Sequence, residues 1–119
     1  TAAQLGTAFL CCDEAGTPTT HREVLTDAAA ETVFTSAFSG RPARGVRNTF
    51  IEAMAGKLVL PFPQQNTLTG SLRQWAASAE QPGFQSVWSG TGSRKIRPMS
   101  AAQLMATLKQ ELAQAANRS

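Results

Sequence analysis

Tyrosine is absent, and aromatic residues make up only 7% of the chain. They are too few and too scattered to form a platform for stacking nucleobases. A dominant charge is missing too: 11 Lys and Arg against 8 Asp and Glu leave a formal charge of +3. The basic residues form only local groups, Arg41/Arg44/Arg47 and Arg94/Lys95/Arg97, rather than the dense stripe of a nucleic-acid binder, so no nucleic acid is expected as a partner. The only cysteines are adjacent, Cys11 and Cys12. Vicinal cysteines can close only a strained ring, and two of them are no disulfide framework. With His21 the sole histidine and distant in sequence, no zinc site is expected, and the thiols read as reduced. No run approaches the roughly 20 apolar residues of a membrane span. The opening TAAQLGTAFL lacks the basic region of a signal peptide. These absences together predict a cytoplasmic protein with neither metal nor membrane.

The chain has 119 residues, 42% of them hydrophobic, which suits one modest domain. It is short for a barrel enzyme of about 250 residues. Ala2-Ala3-Gln4-Leu5 reads as the end of a buried strand, so the chain is expected to open mid-core, as a truncated piece. After Pro18, Thr20 and Glu23 have the spacing of a capping box. Thr32-Val33-Phe34-Thr35 is β-branched and aromatic, which suits a short strand or an extended link, and the glycines and proline of Gly40 to Gly45 predict a loop. Asn48 is placed to cap a helix whose apolar positions are Phe50, Ile51, Met54 and Leu58.

Pro61-Phe62-Pro63 breaks that helix. A second amphipathic helix follows, with Leu68, Leu72, Trp75, Ala76 and Ala79 on one face, and Gln81-Pro82-Gly83 stops it. Ser89 to Ser93 reads as a flexible loop. The last helix carries the clearest signals. Ser100 and Gln103 form a capping box, and Met99 and Leu104 a hydrophobic staple. Leu104, Leu108, Leu112 and Ala115 then make a core-facing stripe. By itself the segment reads as a strand stub followed by four helices.

Few positions point to chemistry. Gln4-Leu5-Gly6-Thr7 places a glycine and a hydroxyl where a strand ends. Glycine lets backbone N–H groups approach an oxyanion, and threonine adds a donor. Arg41, Arg44 and Arg47, leading into a capped helix, could clamp an anion or simply form a solvated basic loop. Trp88-Ser89-Gly90-Thr91-Gly92 offers an aromatic wall and exposed backbone donors, although Trp88 also suits a core anchor. His21 reads as a surface histidine. Asp13 and Glu14 fit a role in starting a helix or loop. No nucleophile–base pair emerges, so no catalytic residue is expected in this segment.

Several of these stretches resemble, in order, motifs of the nitronate monooxygenase (2-nitropropane dioxygenase) family. Gln4-Leu5-Gly6-Thr7-Ala8-Phe9-Leu10 is similar to its flavin-phosphate segment. Thr32 to Asn48 resembles "TVLTRAFSGRPARGIRN", and Pro61 to Arg73 resembles "YPLQNALTRPLR". Trp88 to Gly92 resembles "WAGQG", with Ser89 and Thr91 where the family more often has Ala and Gln. The resemblance covers the whole chain as a C-terminal third and implies an α/β fold, the C-terminal portion of an FMN-binding TIM barrel whose present segment is mainly α-helical. Residues 1–12 would be the last barrel strand and phosphate turn, 13–92 a helical cap, and 93–119 a closing helix packed on the barrel. Gln4, Leu5, Gly6 and Thr7 would hold the FMN phosphate. The implied reaction is oxidation of alkyl nitronates by O2 to a carbonyl compound and nitrite. The implied partners are the nitronate, O2, the upstream barrel of the same protein and a second copy in a homo-oligomer. The family's catalytic histidine lies in an earlier segment, and His21 does not match it. Two other readings stay open: a free-standing helical interaction module, and another FMN barrel oxidoreductase such as an enoyl reductase relative.

Overall fold

The computed structural model describes residues 2–118, so the expected boundaries at Thr1 and Ser119 lie outside the described residues. The segment is mainly helical with one small sheet. A 3-10 turn, Thr7–Phe9, precedes α1 (Thr19–Thr26), β1 (Thr32–Thr35), β2 (Ala43–Val46), α2 (Thr49–Ala53), α3 (Gln64–Leu68) and α4 (Gly70–Ser78). Two further 3-10 turns, Pro82–Phe84 and Ser93–Lys95, lead to the long α5 (Ala101–Ala116). The strand expected over Ala2 to Leu5 is not formed: these residues are exposed and carry no strand assignment. A strand exists only through its partners, and the ladder formed here lies elsewhere.

That ladder joins β1 and β2 antiparallel, with Thr32 opposite Val46 and Thr35 opposite Ala43. The expected loop over Gly40 to Gly45 is therefore half strand. Gly40 and Pro42 mark only the connection, while pairing with the β-branched β1 holds Ala43–Val46 extended. Asn48 caps α2 as expected, its Oδ1 accepting the Ile51 N–H at 3.1 Å. The helix stops early, because Gly56 turns left-handed at φ 73°, a conformation that ends helices. Leu58 is consequently left 90% exposed.

Two other expectations fail at the helices. Helix α1 begins directly after Pro18 and has no side-chain cap. Thr20 thus sits inside the first turn, and its hydroxyl donates to Gln85 Oε1 at 3.3 Å instead. The expected single amphipathic helix is two, α3 and α4, meeting at Thr69. Their inward side is largely polar. Gln65 Nε2 donates to the Ala37 carbonyl at 2.7 Å, and the Thr69 hydroxyl donates to the Phe38 carbonyl at 2.6 Å. Leu68 and Trp75, expected to face a core, are exposed at 63% and 51%. Buried carbonyls of the 36–39 turn need donors, and Gln65 on α3 and Thr69 at the junction meet that need, while Ala76 is the buried residue of α4.

The core gathers Cys11, Leu25, Val46 and Val87, with Leu10, Val24, Ala30 and Ile96 packed against it. Both cysteines are free and fully buried. Burial pushes the Cys11 thiol up, a shift that Arg22 opposes. Beside this core, Phe38 packs on Phe50 with ring centroids 4.7 Å apart and planes tilted by 38°, and meets Trp88 edge-on at 5.9 Å. Arg22 ties down the turn after the cysteines by donating to the carbonyls of Cys12, Ala15 and Thr17.

The capping box at the start of α5 forms as read: Ser100 accepts the Gln103 N–H, and Gln103 accepts the Ser100 N–H. Glu14 adds a third cap by accepting the Ala101 N–H at 2.8 Å, so its role lies at a helix start far along the chain. Leu104 is buried, Leu108 half-buried and Leu112 exposed, so the expected stripe is covered only at its N-terminal end. The distal half of α5 leaves the body, consistent with a radius of gyration of 16.5 Å against about 14 Å for a compact chain of this length.

Candidate functional site

The turn at Gly6 to Phe9 is built by short-range bonds. Phe9 N–H donates to the Gly6 carbonyl at 3.0 Å, and Leu10 N–H to that of Thr7 at 3.1 Å. The amides of Thr7 and Ala8 precede these donors and take no part in the turn's own bonding. Gly6 has φ −119°, which any residue adopts, so its value is not conformational. A Cβ placed there would meet nothing within 4 Å. The turn therefore faces open space that a ligand could approach closely.

Of Gln4, Leu5, Gly6 and Thr7, only Thr7 has a long-range side-chain partner among the described residues. Its Oγ1 accepts the Gly90 N–H at 2.9 Å across 83 positions of sequence. The bond joins two turns that sequence reading singled out separately, Gly6-Thr7 and Trp88 to Gly92. Gln4 and Leu5 are exposed and show no side-chain hydrogen bond among the described residues. Gly90 is the residue that sequence reading missed as a partner of the first turn. Only the presence of a glycine in both turns hinted at a close approach. Trp88 is both anchor and wall: it packs on Phe38 and against Gly45, yet remains 40% exposed.

The three arginines do not converge. The Arg41 guanidinium lies 4.2 Å over the Phe62 ring. Arg44 lies 4.2 Å over Phe34 and donates to the Thr32 hydroxyl at 3.2 Å. Arg47 pairs with Glu31 at 3.6 Å. Each stem covers local surface, and together they form no clamp. Among the described residues no group of three or more His, Cys, Asp or Glu could hold a metal ion. None of their helices is long and apolar enough to cross a membrane.

His21 is half-buried rather than a surface residue. Burial lowers its pKa from the usual 6.5, and a hydrogen bond with the Gln85 side chain opposes that shift. A folded-state pKa below the unfolded one means that the unfolded chain binds the proton first. Stability from His21 is thus complete above about pH 6.5 and lost as pH falls toward the folded value. The denaturant midpoint of the protein should fall on acidification from pH 6.5 by more than that of a His21→Gln variant. Parallel curves for the two would show that His21 titrates as freely folded as unfolded.

The nitronate monooxygenase family profile matches residues 1–111. A probable nitronate monooxygenase of Bacillus subtilis is 38% identical over 112 residues, covering 91% of this chain and 32% of the relative. The nitronate monooxygenase of Pseudomonas aeruginosa is 36% identical, covering 93% of this chain and 33% of the relative. A solved structure of nitroalkane oxidase from Streptomyces ansochromogenes superposes with a TM-score of 0.94 at 41% identity, over 98% of this chain and 34% of that one. The chain spans about a third of the length of these proteins. Its likeness to them runs through both glycine turns and the hairpin between them, and it belongs to the nitronate monooxygenase family.

Proposed function

We propose that this chain is the C-terminal part of an FMN-dependent nitronate monooxygenase, in which Gln4, Leu5, Gly6 and Thr7 hold the cofactor's phosphate. The observation that carries this reading is the open Gly6-Thr7 turn. Among the described residues its Thr7 and Ala8 amides have no acceptor and the Thr7 hydroxyl proton has none either, and Gly6 brings no Cβ to obstruct it. N–H and O–H donors on a turn without carboxylates suit a phosphate monoester. In this reading residues 1–12 close a TIM barrel contributed by the rest of a longer protein, residues 13–92 cap it, and residues 93–119 pack back on it. When bound, FMN supplies the electron-accepting ring for oxidation of an alkyl nitronate by O2 to a carbonyl compound and nitrite. The names of the relatives point to one substrate class, since a nitroalkane and a nitronate are conjugate acid and base. This segment contributes binding rather than proton transfer. His21 is engaged with Gln85, and it sits on α1 rather than at the turn. A cytoplasmic, homo-oligomeric enzyme belongs to the same proposal.

The full-length protein should carry a visible flavin spectrum and release nitrite from a nitronate with uptake of O2. A Gly6→Val change should lower its FMN affinity on the order of tenfold or more, because a branched side chain would fill the space through which backbone donors reach the phosphate. Full flavin content in that variant after extensive dialysis would show that Gly6 is only a turn residue.

A further inference from the structure

The partner of Thr7 is itself held in place by the hairpin. Val46 N–H donates to the Val87 carbonyl at 2.9 Å, and Ser89 N–H to that of Arg44 at 3.2 Å. Trp88 bridges Gly45 in an antiparallel pairing. Residues 87–89 therefore run along β2 as a third, short extended segment. The contact is tight: a Cβ on Gly45 would stand 3.0 Å from the Trp88 ring and 3.1 Å from the Val87 carbonyl. One residue past this lock, Gly90 directs its N–H at Thr7.

A hydroxyl has one proton and two lone pairs. With the Gly90 N–H on a lone pair, the Thr7 oxygen keeps its proton to give. No acceptor for that proton is present among the described residues. An isolated threonine rotates its hydroxyl freely between donating and accepting, whereas a fixed amide donor on the oxygen selects the donating role toward anything else. We propose that the Trp88–Gly90 segment, pinned to the β1–β2 hairpin, is a positioning element that holds the Thr7 hydroxyl as a donor to the flavin phosphate. This rests on the phosphate reading given above. It assigns a role to Gly45 and Trp88, which approach the turn only through Gly90.

Riboflavin lacks the phosphate of FMN, so the ratio of the two dissociation constants isolates phosphate contacts from ring contacts. The ratio can be measured on the full-length apoprotein by flavin fluorescence. The wild type should prefer FMN. Thr7→Val should cut that preference on the order of tenfold, and Thr7→Ser, which keeps the hydroxyl, should restore most of it. Gly45→Ala should cut it as well, while riboflavin binding stays within about twofold, because a displaced Trp88 carries Gly90 away from Thr7. Trp88→Leu, which relaxes the same lock without adding bulk, should do likewise and serves if Gly45→Ala does not fold. Equal wild-type affinity for the two flavins would defeat the phosphate reading itself. A wild-type preference for FMN that survives Thr7→Val, or that falls with Thr7→Val but survives both Gly45→Ala and Trp88→Leu, would leave that reading standing and overturn the positioning role.

Discussion

A Gly40→Ala variant is expected to lose about 3 kcal/mol or more of stability, enough to unfold a marginal protein. Two effects act together at this position. The backbone is left-handed at φ 88°, where a side chain costs on the order of 1–3 kcal/mol. An added Cβ would also stand 2.6 Å from the Leu60 carbonyl oxygen and from the Phe62 nitrogen. Those are main-chain atoms of the segment leading into α3, and that segment cannot retreat cheaply. Leu60 N–H is bonded to Gln65 Oε1 at 3.1 Å, and the other end of the same Gln65 side chain holds Ala37. Gly56→Ala is the natural control. It shares a positive φ of 73° but meets nothing within 4 Å, so it should cost only the conformational part. Denaturant midpoints of the two variants against the wild type decide the matter, and equal shifts would remove the steric argument.

The second large effect concerns the 119-residue chain by itself. Leu68, Trp75 and Leu112 are each more than half exposed, and Leu58 and Phe34 are more exposed than Trp75. Large apolar side chains exposed to this degree are a source of association, since covering such surface returns about 25 cal/mol per Å². Under the proposed function these residues face the remainder of a larger enzyme. The segment alone should self-associate in sedimentation experiments or bind a hydrophobic dye as a partly molten monomer. A triple Leu68→Gln, Trp75→Gln, Leu112→Gln variant should shift it toward a monomer with an unchanged far-ultraviolet spectrum. A rigid, cooperatively unfolding, dye-silent monomer of the unmodified chain would instead favour a self-sufficient interaction module.

What could be read in the amino-acid order divides by range. The caps of α2 and α5 were legible because Asn48 with Ile51, and Ser100 with Gln103, settle their bonds within three residues. β1 was legible from its β-branched composition. β2 was not, because an Ala-Arg-Gly-Val run becomes a strand only when Thr32–Thr35 lies beside it. Helical periodicity found this stretch as one helix and placed Ala76 inward correctly, but it also turned Leu68 and Trp75 inward, since hydropathy ranks them above Gln65 and Thr69. It cannot register that buried carbonyls at Ala37 and Phe38 require polar side chains. Of the two readings of the arginine trio the solvated one holds, for a geometric reason: Arg44 and Arg47, three residues apart on extended backbone, point to opposite faces, and Arg41 lies outside β2 in the connection. The Gly6-Thr7 turn was visible, and so was the Trp88–Gly92 turn. Their meeting was not, because no local rule spans 83 residues.

The Arg22 knot separates this chain's cationic contacts by what can undo them. Its guanidinium is held by three uncharged carbonyls, so neither dissolved ions nor added protons remove its acceptors. Arg97 instead donates to both Glu111 carboxylate oxygens, at 2.6 and 3.3 Å, and this fork depends on a carboxylate that the guanidinium holds below its usual range. Mobile ions screen that exposed pair, and sufficient acid neutralises its anionic half. Brine or low pH should therefore loosen the Glu111 tether on α5 first, while the loop behind the two thiols stays fastened, so that one cationic contact answers to the medium and the other ignores it.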